Sequence, residues 1–211
     1  MSQKSFNLIL KHKIMPFNKS IRVDSDKSIS IRSLLIPSIS ENISVVKNLL
    51  ESDDVLSTIN CLKKLGVKIV KKKSKNYLVY GKGLGSLSIK KNSSINLGNS
   101  GTLARLLIGI LSTTPKINLK LSGDHSLNNR SMKSLIELMN RFGAIFLPKK
   151  KFNFPLKIIS SELPVGINYK AGVSAQLKSA VILAGLNSYG ITKILESDKS
   201  RDHTEKALLQ N

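Results

Sequence analysis

Gly98-Asn99-Ser100-Gly101-Thr102-Leu103-Ala104-Arg105 decides how this chain is read, because two other segments share its design. It sets small and hydrogen-bonding residues directly ahead of an apolar run with helical spacing, which predicts a turn opening a helix. Upstream, Asp26-Lys27-Ser28-Ile29-Ser30-Ile31-Arg32 follows the same plan, and downstream so does Val173-Ser174-Ala175-Gln176-Leu177-Lys178. A helix start leaves its first backbone N–H groups unpaired and carries about half a positive charge, so an anion is stabilised there. The first two segments add a cation within their first turns. Three such starts in a spaced series imply one site for a ligand bearing several negative charges.

The elements between them repeat as well. A strand is expected around Ser20–Val23, a helix from about Lys27 to Ile36 with Pro37 after its end, and a strand over Ser44–Leu49. Asp53-Asp54 opens a second helix whose Val55, Ile59, Leu62 and Leu65 share one face, with Gly66 fitting its C-cap. Val67–Val70 and Tyr77–Tyr80 are strand-like. The order then recurs: a helix at Asn99–Leu111, a strand at Ile117–Leu121, a helix at Ser131–Phe142 stopped by Gly143, and a strand at Ala144–Leu147. A helix at Ser174–Leu186, a strand at Ile191–Leu195 and a helix from Asp202 follow.

The first-helix starts at 27, 99 and 174 differ by 72 and 75 residues, and the second-helix starts at 53, 131 and 202 by 78 and 71. The helix ends Lys64-Leu65-Gly66-Val67 and Arg141-Phe142-Gly143-Ala144 match each other. The unit is longer than the roughly 20–50 residues of common solenoids, so it predicts an α/β domain made of three copies of one subfold. The third copy breaks off inside its second helix, before a closing Gly and two strands. The chain is therefore expected to be a piece of a longer protein.

Of the 211 residues, 34 are Lys or Arg against 13 Asp or Glu, a net charge of +21 that raises the question of nucleic acid. The lysines, however, are spread along the chain. The clusters Lys71-Lys72-Lys73 and Lys149-Lys150-Lys151 fall where strand edges or turns are expected, and lysines there keep edges from pairing. Aromatic content is 5% with no Trp, too little for a base-stacking surface. No nucleic-acid partner is expected. Cys61, the single cysteine, lies in a helical pattern and reads as a small core residue. No apolar run approaches the ~20 residues that span a bilayer, and a cytoplasmic protein is the default expectation. His12, His125 and His203 have no metal-ligand spacing, so neither metal nor cofactor is expected. Gly81-Lys82-Gly83-Leu84-Gly85 lies between strand-like runs and is read as a hairpin turn.

Single motifs are ambiguous. Lys27, Ser28 and Arg32 could belong to an ordinary capped helix, Gly98–Thr102 to a simple turn, and Gly123-Asp124-His125-Ser126-Leu127-Asn128-Asn129-Arg130 to a polar loop after a strand. In order along the chain, together with Ser200-Arg201-Asp202-His203-Thr204-Glu205, they resemble the 5-enolpyruvylshikimate-3-phosphate synthase family. The Ser-Ala-Gln form at 174–176 resembles its glyphosate-tolerant subgroup.

The resemblance implies a fold of three βαβαββ repeats, truncated in the third. Residues 19–211 would form an incomplete first domain, residues 1–18 a leader belonging with an absent second domain. It implies that Lys27, Ser28, Arg32, Ser174, Ala175, Gln176 and Arg201 bind shikimate 3-phosphate, and that Lys27, Asn99, Gly101, Thr102, Arg130 and Gln176 bind phosphoenolpyruvate. The implied reaction transfers the enolpyruvyl group between these two, in a protein that is monomeric when full length. The family's acid–base residues belong to its second domain, so no catalytic residue is assigned in this chain. Departures are Ile31, where the family usually has His, Ser131, where it usually has Pro, and Asp24-Ser25 in place of Pro-Gly. The alternatives are the related transferase acting on UDP-N-acetylglucosamine, whose loop Cys is not matched by Cys61, and a basic RNA-binding module.

Overall fold

A computed structural model describes residues 25–90 and 93–209. The expected leader and the strand at Ser20–Val23 lie outside them. The first copy comprises α1 (Lys27–Ser38), β1 (Ile43–Val46), α2 (Asp53–Lys64), β2 (Lys68–Lys71) and β3 (Tyr77–Tyr80). The second comprises β4 (Ser94–Asn96), α3 (Gly101–Thr113), β5 (Asn118–Ser122), the one-turn α4 (His125–Asn128), α5 (Lys133–Arg141), β6 (Ile145–Leu147) and β7 (Leu156–Ile159). The third holds β8 (Asn168–Ala171), α6 (Ala175–Gly185), β9 (Lys193–Glu196) and α7 (His203–Leu209).

The copies share physical details, not only order. Asp26, Ser100 and Ser174 cap α1, α3 and α6, each side chain accepting the N–H three residues on, and they stand 74 residues apart. The ends of α2 and α5 also match. Gly66 and Gly143 take φ of +86° and +94°, a conformation in which a Cβ is strained. Val67 N–H then reaches Leu62 O at 3.0 Å, and Ala144 N–H reaches Met139 O at 3.2 Å. In the crossovers β4–α3–β5 and β8–α6–β9 the two strands pair in parallel. The first sheet runs β1-β3-β2 and the second β4-β5-β7-β6, with every other pairing antiparallel.

The core centres on α3 and α6. Every residue of α3 except Arg105 is buried, as an all-round apolar helix must be. The close crossing depends on Gly109: a Cβ there would lie 2.5 Å from the backbone oxygen of Ala180 on α6. Lysines mark the sheet margins as expected. Edge strand β2 carries Lys68 and Lys71, with Lys68 Nζ 4.6 Å above the Tyr80 ring, and Lys149–Lys151 follow edge strand β6. Cys61 is buried in α2, its thiol pushed up to about 12 by that burial.

The expected hairpin at Gly81–Gly85 does not form. After β3 the chain runs back along the loop that follows α1, Gly81 N–H bonding Asn42 O at 2.9 Å, Lys82 N–H bonding Ser38 O at 3.1 Å and Gly83 N–H bonding Ser40 O at 2.9 Å. Gly81 is required there, since a Cβ would sit 2.1 Å from Ser40 O. No helix among the described residues is long and apolar enough to cross a membrane.

Candidate anion-binding site

The starts of α1, α3 and α6 meet at one open cleft of about 660 Å³, which Lys27, Asn99, Gly101, Thr102, Arg130 and Gln176 all line. Gln176 Nε2 donates to Thr102 Oγ1 at 2.9 Å, joining the first turn of α6 to that of α3. Lys27, half exposed, pairs with Asp54 Oδ2 at 2.9 Å from the first turn of α2.

Arg130 is presented by a tightly organised loop. Asp124 caps α4 by accepting Leu127 N–H at 2.7 Å, and Asn128 brackets Gly123, accepting its N–H at 2.9 Å and donating to its carbonyl at 3.0 Å. The Arg130 guanidinium then donates to Asn99 Oδ1 at 2.8 Å and Ser126 Oγ at 3.2 Å. Ser131 Oγ accepts Lys133 N–H at 3.3 Å at the start of α5.

Arg105 is a further cation of the cleft, noticeable in the sequence as a charge in the first turns of α3 but not included among the candidates. Its Nη1 donates to Gly101 O at 3.1 Å. Burial lowers its pKa from the ordinary value, and the charge of Arg130 lowers it further. The two guanidiniums converge over Gly101: a Cβ there would lie 2.9 Å from Arg105 Nη1 and 3.3 Å from Arg130 Nη1. Among the described residues neither arginine forms an ion pair. Two facing cations beside a helix start repel each other, and an anion between them relieves that repulsion.

The other candidates are not among the residues that line this cleft. Ser28, half-buried, follows Lys27, and its carbonyl accepts from Arg32 Nη1 at 3.0 Å. Ser174 caps α6, and Ala175 is that helix's first residue. Arg32 is 5% exposed and lines a separate groove with Asp26, Ser30 and His203. Burial lowers its pKa, against the raising effect of Asp26 and Glu205. Arg201 is exposed on the segment leading into α7. Ile31 is fully buried in the core.

Fold and site thus define an α/β domain of repeated units whose first helices direct their starts at a cleft lined by Lys27, Arg105 and Arg130. The chain belongs to the EPSP synthase family: the family model described as EPSP synthase (3-phosphoshikimate 1-carboxyvinyltransferase) matches residues 11–210. It is 39% identical over 196 residues to a 3-phosphoshikimate 1-carboxyvinyltransferase of Syntrophomonas wolfei, covering 92% of this chain and 45% of that protein. A protein of the same name from Bacillus velezensis is 41% identical over 200 residues, covering 94% and 46%. Among solved structures, EPSP synthase from Acinetobacter baumannii superposes with a TM-score of 0.81 at 34% identity, over 90% of this chain and 42% of that one. The chain spans less than half the length of these relatives.

Proposed function

We propose that the whole protein transfers the enolpyruvyl group of phosphoenolpyruvate to shikimate 3-phosphate, and that this chain supplies the substrate-binding half. The observation that carries the reading is the convergence of Arg105 and Arg130 over Gly101, with Lys27 and Gln176 on the same cleft. Phosphoenolpyruvate carries a carboxylate and a phosphate on one carbon, which matches two guanidiniums at a helix start. Shikimate 3-phosphate would lie along the starts of α1 and α6, at Lys27, Ser28, Arg32, Ser174, Ala175, Gln176 and Arg201.

In the transfer, a hydroxyl of shikimate 3-phosphate adds to C2 of phosphoenolpyruvate and gives up its proton to a base, while the methylene carbon takes a proton from an acid. Loss of a proton from the resulting methyl group, together with phosphate from C2, then restores the double bond in a new enol ether. The cations here neutralise charge on carboxylate and phosphate as it redistributes. Proton transfer needs a placed acid and base, which this reading assigns to a second domain that also closes the cleft to water. It assigns residues 19–211 to the first domain and 1–18 to a leader running with the second. The whole protein would act as a cytoplasmic monomer.

Calorimetry on the 211-residue chain with each ligand, beside a phosphate-release assay with both, tests the reading. Weak binding of both ligands without phosphate release is expected. Absence of binding at millimolar ligand, or phosphate release at the rate of a whole enzyme, would overturn it.

A further inference from the structure

The segment Ser200–Glu205 enters the proposed site only through Arg201, yet its last two residues reach furthest into the protein. Thr204 is 1% exposed. Arg32 Nε donates to Thr204 Oγ1 at 2.7 Å, and Thr204 Oγ1 donates to Ser179 Oγ at 2.7 Å. Ser179 Oγ in turn donates to Ala175 O at 2.8 Å and accepts from Arg32 Nη2 at 3.1 Å. A hydroxyl has one hydrogen, and in this relay both hydrogens are committed away from Arg32. Both oxygens therefore face the guanidinium as acceptors.

Neighbouring residues clamp the same contact. Glu205 meets Lys178 Nζ at 2.7 Å and Glu196 meets it at 3.0 Å, with Lys178 only 3% exposed. The pair Thr204-Glu205 thus grips the pair Lys178-Ser179, fixing α7 on α6. With Nη1 on Ser28 O, Arg32 uses three of its five N–H groups. Among the described residues two remain without a partner, one on each Nη, which is the number that a bidentate oxyanion contact takes.

We propose that Thr204, together with Ser179, is a positioning residue that fixes the Arg32 fork for an oxyanion of shikimate 3-phosphate and holds the first turn of α1, at Ser28, against that of α6, at Ala175. This rests on the proposed function for the identity of the ligand. Phosphoenolpyruvate, which the proposed function places at Arg105 and Arg130, does not depend on this relay.

Thr204→Val keeps the shape and removes the hydroxyl, and Thr204→Ser restores it. The first readout is solvent exchange of the Arg32 Nε–H, its NMR signal identified by its loss in Arg32→Lys. Thr204→Val should speed that exchange about tenfold or more and Thr204→Ser should return it, as loss of one buried hydrogen bond implies. The second readout is calorimetry on the 211-residue chain. Thr204→Val should weaken shikimate 3-phosphate about tenfold and phosphoenolpyruvate less than about twofold. Unchanged exchange overturns the positioning role. Faster exchange with unaltered shikimate 3-phosphate affinity overturns the link to the ligand. Faster exchange in a wild-type background that binds neither ligand supports the hold on Arg32 and counts against the proposed function instead. Should Thr204→Val not fold, Ser179→Ala gives the same pattern, with loss of the Nη2 acceptor and of the relay's end.

Discussion

Arg32 and Arg105 begin alike and end differently. Each lies in the second turn of a first helix, and each returns a guanidinium nitrogen to the carbonyl four residues back, Ser28 O at 3.0 Å and Gly101 O at 3.1 Å. Around Arg32 the third copy closes in, with hydroxyls from α6 and α7 taking up Nη2 and Nε. Around Arg105 the neighbour is another cation, Arg130, across an open cleft. One helix-start device is thus tied through three N–H groups at Arg32 and set against a like charge at Arg105. The difference is set by what the rest of the chain brings against it.

The largest effect should come from the frame that both arginines share. Gly109→Val forces side-chain atoms into the Ala180 backbone, which cannot move aside as a side-chain tip can, and should cost about 3 kcal/mol in urea unfolding. If it is neutral, α3 and α6 do not cross as tightly as described. Next, Arg32→Met leaves the Thr204 and Ser179 hydroxyls without their charged partner, and should lose about 2 kcal/mol. Arg105→Met should lose less than about 1 kcal/mol, since it also removes a like-charge contact. Equal losses from the two would erase the distinction drawn between them.

The clamp beside Arg32 predicts a pH dependence. Hydrogen bonding from Ser200, and then Lys178, holds the Glu196 carboxyl at about 2, below its ordinary 4.5. A depressed folded-state pKa stabilises above the unfolded value and is lost as pH falls through the folded one. Wild-type unfolding midpoints should therefore drop as pH falls from about 4.5 towards 2, and Glu196→Gln should flatten that drop. Burial alone would lower the Lys178 pKa, but its two carboxylates overturn that and raise it, so its own contribution persists to alkaline pH. The smallest stability effect belongs to Gly101→Ala. The added Cβ meets only the side-chain tips of Arg105 and Arg130, so the fold should lose under about 1 kcal/mol while the proposed binding of phosphoenolpyruvate falls in calorimetry.

Helix starts and ends were legible because capping and periodicity are local. Asp26, Ser100 and Ser174, like Gly66 and Gly143, act on residues within one turn of themselves. Strand β4 has a single apolar residue, Ile95, in three positions, and β8 alternates exposed and buried over only four, so neither carries enough pattern to stand out. The strand expected over Ser44–Leu49 stops at Val46, with Asn48 at φ +51° breaking the extended run. The site candidates were legible as residue types at helix starts. What the sequence did not convey was the company each keeps. The partners of Arg32 stand 147 and 172 residues away, and Arg105 and Arg130 meet only through the loop that Asp124 and Asn128 organise.

The lysines along the edges of β2 and β6 reach beyond the sheets they border. With 34 basic residues against 13 acidic ones, they surround the protein with a positive potential extending over a screening length of about 8 Å at physiological ionic strength. A diffusing dianion is drawn inward through that layer, so its rate of encounter is raised well before it touches the cleft. Added salt should slow association steeply while leaving the rate of departure, governed by close contacts, almost unchanged.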